Sequence, residues 1–410
     1  MLQVSFKTKL KPNNKQVTLF AKHAGTARHA WNWGLAVCLK AVENKEKLPT
    51  AIDLHKRLVA EVKSVHCWYY EVSKCSPQEA LRHLAMALKR WLVSKVSQKP
   101  KFKKKGIKDS FYLEGSIKIS GNRIKLPRIG WVTCHEILPT VSVKNVTISQ
   151  RAGDWYISFK YDSEAVASLP FGNDFVERAS RNIQPTLKVR QRIGVDVGIN
   201  RLATCSDGTE VENVKAYSIA KRRLVRLQRA VSRKIKGSSN RQKAVKRLAK
   251  QHRRVANVRA DVLHKLTTWL AKNHSTIVVE DLNVSGMLKN HRLASAIADC
   301  GFYEFKRQLL YKANWYGAEV ILADRFYPSS QLCSDCGHRQ KMPLHVRTFK
   351  CDCCGTTKDR DFNASVNLEN YITAVSSTVA ACGDSEVTAC GQCESAKQEA
   401  NFNQGMFKIV

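Results

Sequence analysis

The chain reads as an α/β domain carrying a four-cysteine metal unit, preceded by a small β-structure with a long helical insertion. Three observations lead there. Apolar strands and helical stretches alternate through the second half, the pattern of an α/β sheet. Two Cys-x-x-Cys pairs, Cys333/Cys336 and Cys351/Cys354, interrupt that half. The first half opens and closes on strand-like alternation around a helical span.

Bulk properties narrow the class. With 410 residues, 43% of them hydrophobic, the chain has room for two or three domains with real cores. Lys plus Arg number 69 against 34 Asp plus Glu, a formal net charge of +35. Self-repulsion at that charge opposes compactness, and the usual compensation is a polyanion. Residues 1–10 alternate polar and apolar instead of forming a secretory leader, and no run reaches the roughly 18 apolar residues of a membrane span. Most of the 14 cysteines are scattered singly (Cys38, Cys67, Cys134, Cys205, Cys300), which suggests a reducing, cytoplasmic setting.

Taken in order, residues 2–10 alternate as a strand, and helices are expected over about 15–45 and 52–97. Ser76-Pro77-Gln78-Glu79 has the form of a capping box with proline at the first helical position. Behind it Leu81, Leu84, Ala85, Leu88 and Leu92 make a core face. The run Lys99–Gly106 is basic and breaks the helix. Two hairpins follow, 117–126 turning at Gly121-Asn122 and 143–161 turning at Ala152-Gly153-Asp154. Residues 163–188 lack periodicity and read as a linker. Strands are expected at 192–198, 201–205, 209–214, 276–280 and 319–323, with a helix near 303–316. Residues 213–260 hold 17 Lys or Arg and no acid, with Gly237–Asn240 as a hinge between two helical arms. The tail from 373 to 410 is expected to be disordered.

Three acids stand in this α/β context. Asp196 lies in the apolar run Ile193–Val197, Glu280 ends Ile277-Val278-Val279, and Asp361 opens a helix running to about Asn370. Working residues of open α/β sheets gather at the carboxyl ends of strands. Three acids clustered there repel one another unless hard divalent cations bridge them. Two Mg²⁺ ions so held can activate water and stabilise the leaving oxygen of a phosphodiester. Each acid alone is more simply a turn or helix cap, so the residues leave open both a metal nuclease and a nucleic-acid binder.

The cysteine pairs are more specific. Fourteen residues separate Cys336 from Cys351, and a glycine follows each second cysteine. Four thiolates at this spacing make one closed, structural Zn²⁺ site, with Cys353 as a spare thiol. Cys382, Cys390 and Cys393 lack a fourth ligand and read as ordinary tail residues.

In order, Gly194-Val195-Asp196-Val197-Gly198, Val278-Val279-Glu280-Asp281-Leu282, the two cysteine pairs, and Asp359-Arg360-Asp361-Phe362-Asn363-Ala364 resemble the TnpB family. Arg28–Trp33, Lys99–Lys105, Ile124–Pro127, Gly237–Arg241 and Phe326–Gln331 add to the resemblance, which spans roughly residues 3–372. The family comprises insertion-sequence-encoded RNA-guided DNA endonucleases, long described as transposases and related to type V CRISPR effectors. The resemblance implies an RNase H-like (RuvC) nuclease domain over 189–332 and 357–372, with Asp196, Glu280 and Asp361 binding Mg²⁺ and Asp359 in a supporting place. A zinc ribbon would occupy 333–356. Residues 1–162 would form a wedge-like β-barrel with a helical recognition insertion at about 13–97. The implied partners are a structured guide RNA, with one protein per RNA, and double-stranded target DNA beside a short flanking motif. Arg28, Lys99, Lys101, Lys103, Lys104, Lys105 and Arg241 are candidate nucleic-acid contacts. Trp31, Trp33, Trp155, Tyr156 and Phe102 could stack on bases, although a core position is the simpler reading for each. A nuclease-dead guided repressor, a strand-joining transposase and a zinc-ribbon RNA binder are the competing readings.

Overall fold

The structure, a computed structural model, describes residues 2–94, 97–106, 108–163, 191–343 and 345–381. Strand β1 (Leu2–Lys11) leads into helices α1 (Asn14–Glu43), α2 (Ala51–Arg57) and α3 (Cys75–Val93). Six strands follow: β2 (Ser110–Glu114), β3 (Lys118–Ser120), β4 (Arg123–Leu126), β5 (Gly130–Cys134), β6 (Asn145–Arg151) and β7 (Asp154–Ser163). They form one antiparallel sheet in the order β2-β6-β7-β1-β5-β4-β3, open at its two edges among the described residues. Alternation places Val4, Thr8 and Leu10 of β1 inside, against Phe20, Leu35 and Leu84 of the helices. Two-residue turns close the expected hairpins. At Ala152-Gly153 both residues have positive φ, +53° and +82°, as a twisted hairpin requires.

The helical insertion departs from expectation in its middle. Within the helical stretch expected over 52–97, a π turn (Leu58–Lys63) and a 3-10 turn (Cys67–Glu71) separate α2 from α3, which begins beside the start expected at Ser76-Pro77. The capping boxes are at Asn13/Gln16 and Thr50/Asp53. Ser76 does not cap: α3 starts at Cys75, and the Ser76 hydroxyl donates to the Tyr112 carbonyl of β2. A tertiary acceptor has won over the local one. Leu81, Leu84 and Leu88 are buried, whereas Leu92 is 55% exposed.

The second half contains β8 (Gln191–Asp196), β9 (Arg201–Cys205), β10 (Glu210–Glu212), α4 (Ala216–Ser232), α5 (Ser239–Asn273) and β11 (His274–Glu280). After these come α6 (Ala294–Cys300), α7 (Phe302–Tyr316), β12 (Glu319–Ala323), β13 (Thr348–Lys350), β14 (Thr357–Asp359) and α8 (Arg360–Ala381). Five strands pair in the order β10-β9-β8-β11-β12, with β8, β11 and β12 parallel. Ile193, Val195, Ile277 and Val279 face Leu266, Leu270, Phe305 and Leu309 on one side of this sheet. Val278 and Ala323 face Leu368 of α8 on the other. Helix α8 runs to Ala381, beyond the point where a disordered tail is expected to begin. The expected linker lies, apart from Ser163, outside the described residues, as do residues 382–410.

The acid-free span forms the paired helices α4 and α5, joined by residues 233–238. Ser238 caps α5, and Asp299, buried in α6, accepts the Tyr217 N–H at 2.8 Å at the start of α4. Arg253 of α5 pairs with Asp154 at 2.6 Å and donates to the Arg151 carbonyl at 3.0 Å, tying the basic arm to the β6–β7 turn.

Candidate active site and cysteine centre

Strand period decides where the acids point. Side chains two apart share a face, so Gly194 and Asp196 on β8, like Val278 and Glu280 on β11, look toward α8. Val195 is paired in register with Val279, and the two acids therefore sit side by side just beyond that pair. Gly194 is the reason α8 can lie there. A Cβ at this position would stand 2.0 Å from the Ser365 carbonyl oxygen and 2.4 Å from the Glu369 nitrogen, both backbone atoms. The close crossing delivers the first turn of α8, with Asp361, to the same end of the sheet.

Burial pushes the Asp196 carboxyl up to about 8, and the neighbouring Glu280 and Asp361 carboxylates add to the shift. Ser329 donates to Glu280 Oε1 at 2.6 Å. Asp361 lies 3.6 Å from an Arg347 guanidinium nitrogen. Asp359 caps α8: its Oδ1 accepts the N–H groups of Asp361 at 2.9 Å and Phe362 at 3.1 Å, and its other oxygen meets Arg201 at 3.1 Å. Asp281, next to Glu280, is turned to Lys306 at 2.5 Å and Arg325 at 2.9 Å, which hold its carboxyl below the ordinary range.

The cysteine centre is tighter. Cys333 and Cys354 sulfurs are 3.7 Å apart, and those of Cys336 and Cys351 are 3.6 Å apart. A tetrahedral zinc with 2.3 Å bonds sets its sulfurs about 3.8 Å apart, so the residues fit that ion. The four sulfurs lie within 4.8 Å of one another; among the described residues the three acids are not drawn together to that degree. Each pair closes by the same turn, with Gly337 N–H donating to Cys333 O and Gly355 N–H to Cys351 O, both at 3.0 Å. Cys353 is exposed and outside the cluster. Phe349, fully buried, packs on Cys333 and Cys351. Two buried asparagines of α8 anchor this unit: Asn363 accepts from Ser334 N and donates to Leu332 O, and Asn367 donates to the carbonyls of Ser329 and Leu332.

The basic candidates divide. Arg28 is committed to Asp109 at 2.6 Å, and Arg241 donates to the Val231 and Lys234 carbonyls at the end of α4. Lys99, Lys101, Lys104 and Lys105 are exposed; Lys103 stands 3.8 Å over the Trp31 ring. Trp31 and Trp155 are core residues, Trp33 and Tyr156 are half-buried, and Phe102 is exposed. The sequence reading gave no role to Gly194, Ser329 or Asn367. Gly194 carried a signal, as a glycine inside an apolar strand, and Ser329 lay within the Phe326–Gln331 segment of the family resemblance.

Three family models match: OrfB-IS605, described as "Probable transposase", over residues 173–291; the Cas12f1-like TNB domain over 302–368; and an OrfB-IS605 helix-turn-helix domain over 1–47. A Streptomyces pristinaespiralis protein, named as an RNA-guided DNA endonuclease, is 33% identical over 391 residues, covering 93% of this chain and 91% of its own length. The chain belongs to the TnpB family. InsQ of Escherichia coli K12, likewise named as an RNA-guided DNA endonuclease, is 35% identical and covers 93% of this chain and 94% of itself. The fold of this TnpB-family chain is similar to that of the mini-RNA-guided endonuclease CRISPR-Cas phi3, at TM-score 0.52 and 9% identity, over 91% of this chain and 92% of that one. Among the described residues, no helix is long and apolar enough to cross a membrane.

Proposed function

We propose that the chain is a transposon-encoded, RNA-guided DNA endonuclease with an RNase H-like (RuvC) nuclease domain. The observation that carries this reading is the side-by-side placement of Asp196 and Glu280 at the ends of parallel strands, with Asp361 brought to them by α8. Kinship to proteins named as RNA-guided DNA endonucleases, over nine-tenths of the chain, supports it. The donor set is hard oxygen, and divalent cations would offset the burial and the neighbouring carboxylates that together raise the Asp196 carboxyl. Mg²⁺ held by the three acids would supply an activated water and a counter-charge for the leaving oxygen.

The chain's own residues do the positioning. Ser329 orients Glu280, the Asp359 cap fixes the turn bearing Asp361, and Gly194 sets the distance between helix and sheet. Zn²⁺ at Cys333, Cys336, Cys351 and Cys354 would lock the ribbon whose carbonyls Asn363 and Asn367 hold. The seven-stranded sheet with its helical insertion would serve as the wedge-like barrel that the family resemblance implies. The +35 charge would neutralise phosphates of a guide RNA and of the guide–target duplex, while base pairing carries sequence choice.

The test is to purify the protein expressed with its flanking non-coding sequence, sequence the bound RNA, and offer a matched DNA library with Mg²⁺. One defined RNA, with cutting of matched DNA beside a fixed short motif and none under chelator, is the expected outcome. Absence of any specific RNA contradicts the guided mechanism.

A further inference from the structure

The loop after β12 holds an aromatic ring that folding does not use. Phe326 is 87% exposed, more than any other large apolar side chain among the described residues. Its backbone is nonetheless fixed. The Phe326 N–H donates to Asp324 Oδ1 at 2.8 Å, Tyr327 N–H to the Asp324 carbonyl at 3.0 Å, and Gln331 N–H to the Pro328 carbonyl at 2.8 Å.

Its neighbours in sequence have partners within the protein. Arg325 reaches Asp281 at 2.9 Å, Tyr327 donates to the Asn367 carbonyl at 3.2 Å, and Ser329 donates to Glu280 at 2.6 Å. A rigid loop therefore holds a bare ring in water, three residues from the serine that touches Glu280.

The surroundings say what such a ring meets. Tyr303, 69% exposed, lies one turn before Lys306 on α7, and residues three apart on a helix are neighbours. Lys306 and Arg325 converge on Asp281. An exposed ring on α7 and two cations paired to Asp281 thus stand at the carboxyl end of β11, beside the loop that carries Phe326. Aromatic faces interleaved with cations fit a single strand, whose bases stack while its phosphates are neutralised. A base inside a duplex has both faces covered by its neighbours, so a projecting ring away from a duplex end takes an unpaired base.

We propose that Phe326 is a stacking site for one unpaired base of the DNA strand delivered to Asp196, Glu280 and Asp361, and so sets which phosphate reaches them. The assignment of DNA rests on the nuclease reading; the stacking itself does not. The first arm of the test titrates the protein–RNA complex into single-stranded DNA carrying one 2-aminopurine, and separately loads RNA labelled the same way. Fluorescence of the DNA probe should be quenched on binding, keep that quench in Phe326→Trp, and lose most of it in Phe326→Ala. Equal quenching in Phe326→Ala and wild type overturns the site; quenching confined to labelled RNA overturns the assignment to DNA.

The second arm measures cutting of matched DNA. Phe326→Ala should cut about tenfold more slowly and at a shifted position, with Phe326→Trp restoring both, since one base–ring stack governs such ratios. A wild type that cuts, with an alanine variant identical to it, overturns the site and leaves the nuclease reading standing. A wild type that never cuts, yet shows the Phe326-dependent DNA quench, overturns the nuclease reading and leaves the site.

Discussion

The two candidate metal centres share the start of one helix, and they are held in different ways. The cysteine centre is made locally. Two identical glycine turns point four sulfurs inward, in two pairs 3.6 and 3.7 Å apart, and a buried phenylalanine backs them. The acid end is made by long-range packing. Its carboxylates come from two strands and a helix, and the crossing of that helix over Gly194 decides where the third one stands. A closed sulfur site has no free coordination position and serves the fold, while an open oxygen site can exchange ligands and serve chemistry. Helix α8 joins them, since Asp361 belongs to one and Asn363 to the other.

Breaking the local centre should have the largest effect. Zinc bound to four thiolates contributes on the order of 10 kcal/mol to a small metal-held unit. Cys351→Ser should therefore lose its zinc and expose residues 333–356 to rapid hydrogen exchange. Zinc analysis and exchange mass spectrometry check this, and retained zinc with unchanged protection would contradict it.

Gly194→Ala attacks the packed centre instead. Its methyl meets backbone atoms that cannot swing aside, so a loss of about 3 kcal/mol in urea unfolding is expected. Zinc content should be unchanged. Unaltered stability would mean that α8 is free to retreat, and that the crossing does not set the site. The smallest effect belongs to Cys353→Ser. This exposed thiol lies outside the cluster, so zinc content should stay the same and stability should move by less than about 0.5 kcal/mol.

The same contrast separates what could be read in the sequence from what could not. Local chemistry was legible. The alternation of residues 2–10, the turn at Gly121-Asn122, the strand Arg201–Cys205 and the paired cysteines all show their consequences within a few residues. Contacts between distant segments were not. Ser76 has the spacing of a cap, yet its hydroxyl is taken by Tyr112. Ser329 meets Glu280 across 49 positions, and nothing in either neighbourhood announces it. The helical character of 52–97 and a helix start near Ser76 were legible, but the π and 3-10 turns between α2 and α3 were not.

The central claim is that Asp196, Glu280 and Asp361 act as one cation-dependent cutting centre. The most direct measurement compares wild type and Asp361→Ala as assembled complexes, following DNA binding and cutting of the same matched duplex with Mg²⁺. The account predicts unchanged binding and cutting slowed by about a thousandfold or more, the scale of losing a group that stabilises the transition state. Equal cutting by the two proteins would contradict it and leave the acids a structural role only.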